Sequence, residues 1–153
     1  MTALSDKKHP LIAPIDMSKA KNEKDVKRRI KELLNFHGWF TWMPGANGYG
    51  TQGVSDHLAI KDGVFVAIEA KFGYNKPSAM QKSFAAQIIA NDGFAFCVTD
   101  KNIDHLAYWL ESFHAATLLQ REGKEVSAEH GSRMLNAIGA LTEPFAETQR
   151  ALA

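Results

Sequence analysis

Residues 56–71, DHLAIKDGVFVAIEAK, consist of two largely apolar runs separated by the dipeptide Asp62-Gly63. Asp-Gly between two such runs is a strong sign of a two-residue β-hairpin turn, because both turn positions need a positive φ. The segment therefore predicts two antiparallel strands, over 56–61 and 64–71, joined by a tight turn.

The turn also predicts which residues face each other across the hairpin. Lys61 is expected opposite Val64, and counting back along both strands places Asp56 directly opposite Glu69. Residues opposite each other share a face, with their Cβ atoms about 4.5–5.5 Å apart. Lys71 follows Glu69 by two residues and therefore lies on the same face. Two carboxylates and an ammonium are predicted to meet at one end of this face.

Two acids in opposite positions repel each other unless something binds between them. A divalent cation would do so, because Mg²⁺ prefers oxygen ligands and commonly takes one or two carboxylates. The ammonium of Lys71 could then orient or deprotonate a water. The alternative interpretation is a solvated strand end, or an ordinary Asp–Lys ion pair.

Asn22 is a plausible N-cap for a helix predicted over 23–37. Glu23, on that helix, is a further candidate ligand, since it precedes Val26 by three residues. That spacing points it toward the apolar stripe of the helix, from which it could reach the corner of Asp56 and Glu69. The alternative is a first-turn glutamate that stabilises the helix dipole.

The rest of the chain predicts an α/β domain. A strand over 39–43 precedes the hairpin, and Ser78 and Gln81 have the spacing of a capping box that starts a helix over 77–92. The strand over 93–99 follows a helix and should pair in parallel. Two more helices are expected over 102–120 and 127–141, and residues 1–21 are expected to form an N-terminal arm.

Composition narrows the functional classes. The 153 residues suit one domain, and no apolar run approaches the ~20 residues of a membrane helix. The start of the chain lacks the apolar core of a secretory signal. The single cysteine, Cys97, lies in an apolar strand, which predicts a buried side chain and a reducing cytoplasm.

The charge is unevenly distributed. Residues 1–82 carry 13 Lys/Arg against 8 Asp/Glu, and residues 83–153 carry 5 against 9. The basic half could face a polyanion. The alternative is that charged helix surfaces account for the difference.

Other features predict less. The glycine-rich segment 44–53 lacks the ending of a P-loop and is expected to be a flexible connection, whose Asn47, Tyr49 and Gln52 could contact a ligand. The six histidines show no zinc spacing. The aromatic residues at 36, 39, 40 and 42 are expected in the core rather than as platforms for nucleotide bases.

The order of these motifs resembles a known family. A helix glutamate, then Gly53-x-Ser55-Asp56, then Glu69-x-Lys71, then a glutamine that opens the next helix, is similar to the PD-(D/E)XK nuclease superfamily. More narrowly it resembles the VRR-NUC branch, the virus-type replication-repair nucleases, which include small stand-alone phage proteins. The resemblance covers about residues 20–100. Ser55 stands where many members have proline, a position that offers no ligand.

The resemblance implies a restriction-endonuclease-like αβββαβ core with a mixed sheet over residues 22–100, and a C-terminal helical extension over 101–153. It implies that Asp56 and Glu69 bind Mg²⁺ or Mn²⁺, helped by Glu23 and the carbonyl of Ala70. Lys71 would activate the attacking water. Gln81 would position the lysine, the water or the scissile phosphate.

The resulting hypothesis is a metal-dependent DNA endonuclease that acts as a homodimer on branched DNA, such as Holliday junctions, in a bacterial or phage-infected cytoplasm. Five basic residues are candidate phosphate contacts: Lys24, Lys27, Arg28, Lys76 and Lys82. The alternatives are a flap, nicking or restriction-type nuclease, a catalytically silent DNA-binding module, and a structural protein whose carboxylates bind nothing.

Overall fold

The structure is a computed structural model that describes residues 17–45 and 52–152, except for the side chains of 147–152. The predicted arm over 1–21 therefore falls mostly outside the described residues, as do Asn47 and Tyr49. The elements are, in order, α1 (Glu23–Phe36), β1 (Phe40–Trp42), β2 (His57–Lys61), β3 (Val64–Ala70), α2 (Ala79–Ala90), β4 (Phe94–Val98), α3 (Ile103–Arg121) and α4 (Ala128–Leu152). The predicted α/β class, the αβββαβ order and the C-terminal helices are confirmed.

The sheet has the strand order β1-β2-β3-β4, with antiparallel pairing up to β3 and parallel pairing between β3 and β4. The hairpin turn has φ of 51° at Asp62 and 79° at Gly63, as a two-residue hairpin turn with two positive φ angles requires. The predicted register is confirmed from Lys61 opposite Val64 back to His57 opposite Ile68.

The register prediction is wrong at its last step. β2 begins at His57, so Asp56 and Glu69 are not a ladder pair. The side chain of Asp56 turns to the backbone instead, and its Oδ2 accepts a hydrogen bond from the amide of Ala70 at 2.9 Å. This bond satisfies a backbone donor at the point where the antiparallel ladder ends.

The two faces of the sheet have different surroundings. The main core packs one face against α1, α3 and α4, and includes the fully buried α1 stripe Val26, Ile30, Leu33 and Leu34. On the other face, α2 packs against β3 and β4, where Ala67 and Ala95 are buried. Because successive strand residues alternate between faces, Glu69 lies on the α2 face with Ala67.

Both predicted helix caps are present. The side chain of Asn22 accepts a hydrogen bond from the amide of Asp25 at 3.0 Å, at the start of α1. At the start of α2, Ser78 and Gln81 form the full capping box. Such caps contribute about 1 kcal/mol each to stability and fix where α2 starts relative to the sheet.

The last helix differs from its prediction over 127–141, since α4 continues to Leu152 with Pro144 inside it. A proline leaves the carbonyl four residues earlier without its helical donor. That carbonyl belongs to Ala140, and the side-chain amide of Asn102 lies 3.5 Å from it. Asn102, which lies outside α4, thus offers this carbonyl a donor in place of the amide hydrogen that Pro144 lacks.

The aromatic residues around β1 are less buried than the sequence predicted. Of the four aromatic residues expected in the core, only Trp39 is buried, whereas Phe36, Phe40 and Trp42 are exposed. That prediction is wrong for three of the four.

In the described part of the chain, no helix combines the length and the hydropathy that a membrane span would need.

Candidate active site

Asp56 is held from two sides at the corner where β2 starts and β3 ends. Its Oδ2 accepts from the amide of Ala70, and its Oδ1 lies 3.3 Å from Nζ of Lys27, on α1. The aspartate is therefore oriented both by the sheet and by the helix. This contact uses the amide of Ala70, whereas the predicted metal ligand is its carbonyl.

Glu69 is the most buried acid of the corner, with an exposed fraction of 2%. Its Oε1 accepts a hydrogen bond from Nε2 of Gln81 at 2.8 Å and lies 3.5 Å from Nζ of Lys71. Its Oε2 is buried and has no hydrogen-bond partner among the described residues. A buried carboxylate oxygen without a donor is costly, so the site favours either a proton or a cation at this atom.

The pKa of Glu69 reflects the same cost of burying a carboxylate. Burial and the nearby charge of Asp56 raise it from 4.5 to about 8, and the ammonium of Lys71 only partly opposes them. A negative charge beside a buried carboxyl group favours its protonated form. The corner therefore binds a proton more readily than two ordinary acids would.

Two ammonium groups each bridge a pair of carboxylates. Nζ of Lys71 lies 3.5 Å from Glu69 and 3.9 Å from Glu23. Nζ of Lys27 lies 3.3 Å from Asp56 and 3.5 Å from Glu23. Burial disfavours the charge on Lys27, but the two acids outweigh burial and raise its pKa. Glu23 thus reaches the corner, as its position on the helix predicted.

Gln81 connects the start of α2 to the carboxylates. Its Oε1 accepts from the amide of Ser78 at 2.8 Å, while its Nε2 donates to Glu69. Capping and positioning were two possible roles for this residue, and one side-chain conformation makes both contacts. Helix formation at Ser78 and orientation of Glu69 are thereby coupled.

Gly53 has a structural role that its motif does not reveal. It has φ of +80°, and a Cβ built there would lie 2.4 Å from the carbonyl oxygen of Met80 and 2.9 Å from the amide nitrogen of Gln81. The segment that leads to Asp56 therefore packs directly on the first turn of α2. Only glycine fits this approach, which holds the segment before Asp56 against the first turn of α2.

The predicted phosphate contacts separate into different surroundings. Lys27 lies inside the acidic corner rather than on a free surface. Arg28 is exposed and pairs with Asp25 at 2.9 Å. Lys24 and Lys76 are exposed and Lys82 is half-buried near the start of α2. None of the contacts described joins Lys24, Arg28 or Lys82 to a carboxylate of the corner.

His57 is a buried polar residue whose surroundings the sequence did not predict. It is fully buried on the main-core face, and neither ring nitrogen has a hydrogen-bond partner among the described residues. Burial lowers its pKa from 6.5 to about 4. The alternation along β2 placed it on the face opposite Asp56, but could not show that the face is closed to water at this position.

The donor set of the corner fits a hard divalent cation. Within residues 17–45 and 52–152, no three His, Cys, Asp or Glu side chains are already arranged to hold an ion, and in the corner ammonium groups lie between the carboxylates. Three carboxyl groups with one unpartnered buried oxygen are nevertheless the kind of ligands that Mg²⁺ and Mn²⁺ prefer.

Comparison with known proteins adds no family. A scan against protein-family models finds no match to this chain, and a search of curated proteins finds none either. The geometry of the corner and the order of the motifs are therefore what indicate a function.

Proposed function

We propose that this protein is a divalent-cation-dependent nuclease that hydrolyses phosphodiester bonds in DNA, of the PD-(D/E)XK type and the VRR-NUC branch. One observation carries the proposal. The buried Oε2 of Glu69 has no donor, and it belongs to a carboxyl group that Asp56 and Lys71 adjoin at the end of a hairpin. An acid pair beside a lysine in an αβββαβ core is the arrangement that this nuclease type uses.

The residues of the corner have distinct parts in this proposal. Asp56 and Glu69 would hold the Mg²⁺ or Mn²⁺ ion, with Glu23 and the carbonyl of Ala70 as further ligands. The ion supplies positive charge against the negative charge that develops on the phosphoryl group.

Lys71 is mostly buried beside both glutamates, and its Nζ can hydrogen-bond an attacking water or a phosphate oxygen. Gln81 keeps the carboxylate of Glu69 in place through its 2.8 Å hydrogen bond.

The substrate and assembly are proposed on the resemblance and on charge. The DNA is branched, and a homodimer would place two corners to cut two strands. Lys24, Arg28, Lys76 and Lys82 contact phosphates around the site, whereas Lys27 acts within it. The free, buried thiol of Cys97 is consistent with a reducing cytoplasm, where the protein is proposed to act.

A cleavage panel tests the proposal. End-labelled Holliday junction, flap, nicked and linear duplex DNA are incubated with the protein and Mg²⁺, with chelator as a blank. The Lys71→Ala variant should cut about 100-fold or more slowly, the loss expected for a group that handles the reacting proton. The matched control is Lys124→Ala, an exposed lysine that pairs only with the exposed Glu122 among the contacts described. Cutting at the wild-type rate by Lys71→Ala, or cutting in chelator, would contradict the proposal.

A second candidate is a catalytically silent DNA-binding module on the same fold. It is favoured by the internal pairing of both lysines with carboxylates, which leaves a corner that is nearly balanced in charge. The same panel separates the two, since a silent module binds the DNA and cuts none of it. Preference among the four DNA substrates separates a junction enzyme from a flap, nicking or restriction-type enzyme.

A further inference from the structure

Part of the sheet is not covered by any described helix and carries aromatic side chains. Phe40 is 69% exposed, and Trp42 and Ile60 are each 40% exposed. The rings of Phe40 and Trp42 lie 5.5 Å apart between centroids, and Trp42 meets the edge of Phe65 at 6.5 Å. These four residues, Phe40, Trp42, Ile60 and Phe65, are called the aromatic strip below.

The aromatic strip lies on the same face as the acidic corner. Phe40 pairs with Ile60, which pairs with Phe65, so all three side chains point to the α2 face. Trp42 pairs with Leu58, and Asp56 is two residues further along the same line. At about 3.4 Å per residue, the backbone of Asp56 is only about 7 Å beyond the position that Trp42 adjoins.

The composition of the strip favours a planar ligand. Exposed rings of Phe and Trp give flat surfaces on which any nucleotide base can stack, and they carry no charge that would repel the phosphates beside it. A second copy of the chain is the other possible occupant. A stable interface needs about 20–30 residues on each side, far more than the four of the strip.

We propose that the aromatic strip stacks unpaired nucleotides of the DNA whose phosphate enters the corner of Asp56, Glu69 and Lys71. The preferred substrate is therefore DNA with a single-stranded segment next to the cut, as at an open junction or a flap, rather than uninterrupted duplex. This inference takes the proposed nuclease function as its premise. The binding of unpaired nucleotides that it describes nevertheless requires neither a metal ion nor cleavage of the DNA.

Binding of a fluorescein-labelled oligothymidylate of about 12 nucleotides tests the strip directly. Titration in chelator follows the anisotropy of the label and the emission of the protein. The chain has three tryptophans, and Trp39 and Trp109 are buried, so quenching by bases reports on Trp42. We expect quenching on binding by wild-type protein and by Lys124→Ala alike, since Lys124 is an exposed lysine outside the corner.

The variants are chosen to fold. Phe40→Ala removes a mostly exposed ring and should weaken oligothymidylate binding about tenfold, equivalent to about 1.4 kcal/mol. Trp42→Ala should weaken it similarly, and Trp42→Phe should restore most of the affinity. The matched control is Leu135→Ala, on α4, which removes an equally exposed apolar side chain away from the sheet and should change nothing.

The outcomes separate this inference from the proposed function. Wild-type affinity in both alanine variants, or no quenching, overturns the stacking role even if Mg²⁺-dependent cutting is found. Loss of a dimer in sedimentation of Phe40→Ala, with unchanged oligothymidylate affinity, overturns it in favour of a second copy. If the variants weaken binding but no DNA is ever cut, the nuclease proposal fails and the stacking surface stands.

Discussion

Replacement of Glu69 by glutamine should stabilise the protein in the absence of metal at high pH. Glu69→Gln keeps the size of the side chain and an oxygen that Gln81 can still bond, but it removes the ionisable group. In the wild type, burial and Asp56 raise the pKa of Glu69 from 4.5 to about 8. The amide cannot ionise, so it avoids the cost of a buried charge.

The sign follows from proton binding. Between pH 4.5 and 8 the folded protein keeps the proton of Glu69, while the unfolded chain has lost it. The contribution of Glu69 to the free energy of unfolding therefore falls as the pH rises, by up to about 1.4 kcal/mol for each pH unit in that window. Wild type and Glu69→Gln should have similar free energies of unfolding near pH 4.5. Near pH 8.5 the variant should be more stable than the wild type by a few kcal/mol.

Urea unfolding followed by circular dichroism measures this, in chelator and in Mn²⁺ at pH 5, 7 and 8.5. Mn²⁺ at 100 times its Kd should stabilise the wild type by about 2.7 kcal/mol and leave Glu69→Gln unchanged. Glu122→Gln, at an exposed acid beyond α3, is the control and should behave as wild type. Equal pH dependence in wild type and Glu69→Gln would show that Glu69 does not titrate in this window, and equal stabilisation of both by Mn²⁺ would show that Glu69 does not bind the ion.

Three other predictions concern the surroundings of the corner. Gly53→Ala should lower stability by about 2–4 kcal/mol and reduce cutting, because its Cβ would lie 2.4 Å from the carbonyl oxygen of Met80. Gly123→Ala, which also has a positive φ but lies in open space, should cost only about 1 kcal/mol. Thermal unfolding compares the two variants, and equal losses of stability would contradict the close approach of Gly53 to α2. Gln81→Ala should reduce the rate of cutting about 10-fold to 100-fold, because it removes the hydrogen bond to Glu69. Ser78→Ala removes only the cap, so it should cost about 1 kcal/mol of stability and leave the rate of cutting nearly unchanged. Equal effects of the two variants on cutting would show that Gln81 acts only as a cap. The contribution of His57 to wild-type stability should fall as the pH drops from 6.5 to 4, because the unfolded chain protonates His57 before the folded protein does. Glu69 contributes the opposite slope above pH 4.5, so the measurement is the difference between His57→Leu and wild type in urea titrations: the variant should gain stability relative to wild type as the pH drops, and a pH-independent difference would exclude His57 as a source of the slope.

Local chemistry explains which features of the fold could be predicted from the sequence. The Asp62-Gly63 turn and the caps at Asn22 and Ser78 depend on neighbouring residues, and all three are present. Periodicity also placed the buried stripe of α1. Periodicity does not show which part of a face a helix will cover, so Phe40 and Trp42 were wrongly expected in the core.

The corner shows a similar division between local and distant causes. The hairpin register brought Asp56 close to Glu69, but β2 begins one residue later than the pattern suggested, and the aspartate bonds the amide of Ala70. The position of Lys27 between two acids and the contact of Gly53 with α2 depend on how distant segments pack. No local pattern encodes such contacts.

Anomalous diffraction from a crystal soaked in Mn²⁺ near pH 8 would show whether Asp56 and Glu69 hold a divalent ion. We expect an anomalous peak within ligand distance of both carboxylates, with the ammonium groups of Lys27 and Lys71 moved away from the carboxylate oxygens. A fully soaked crystal with no peak at this corner, and with both lysines still bridging the acids, would contradict this expectation.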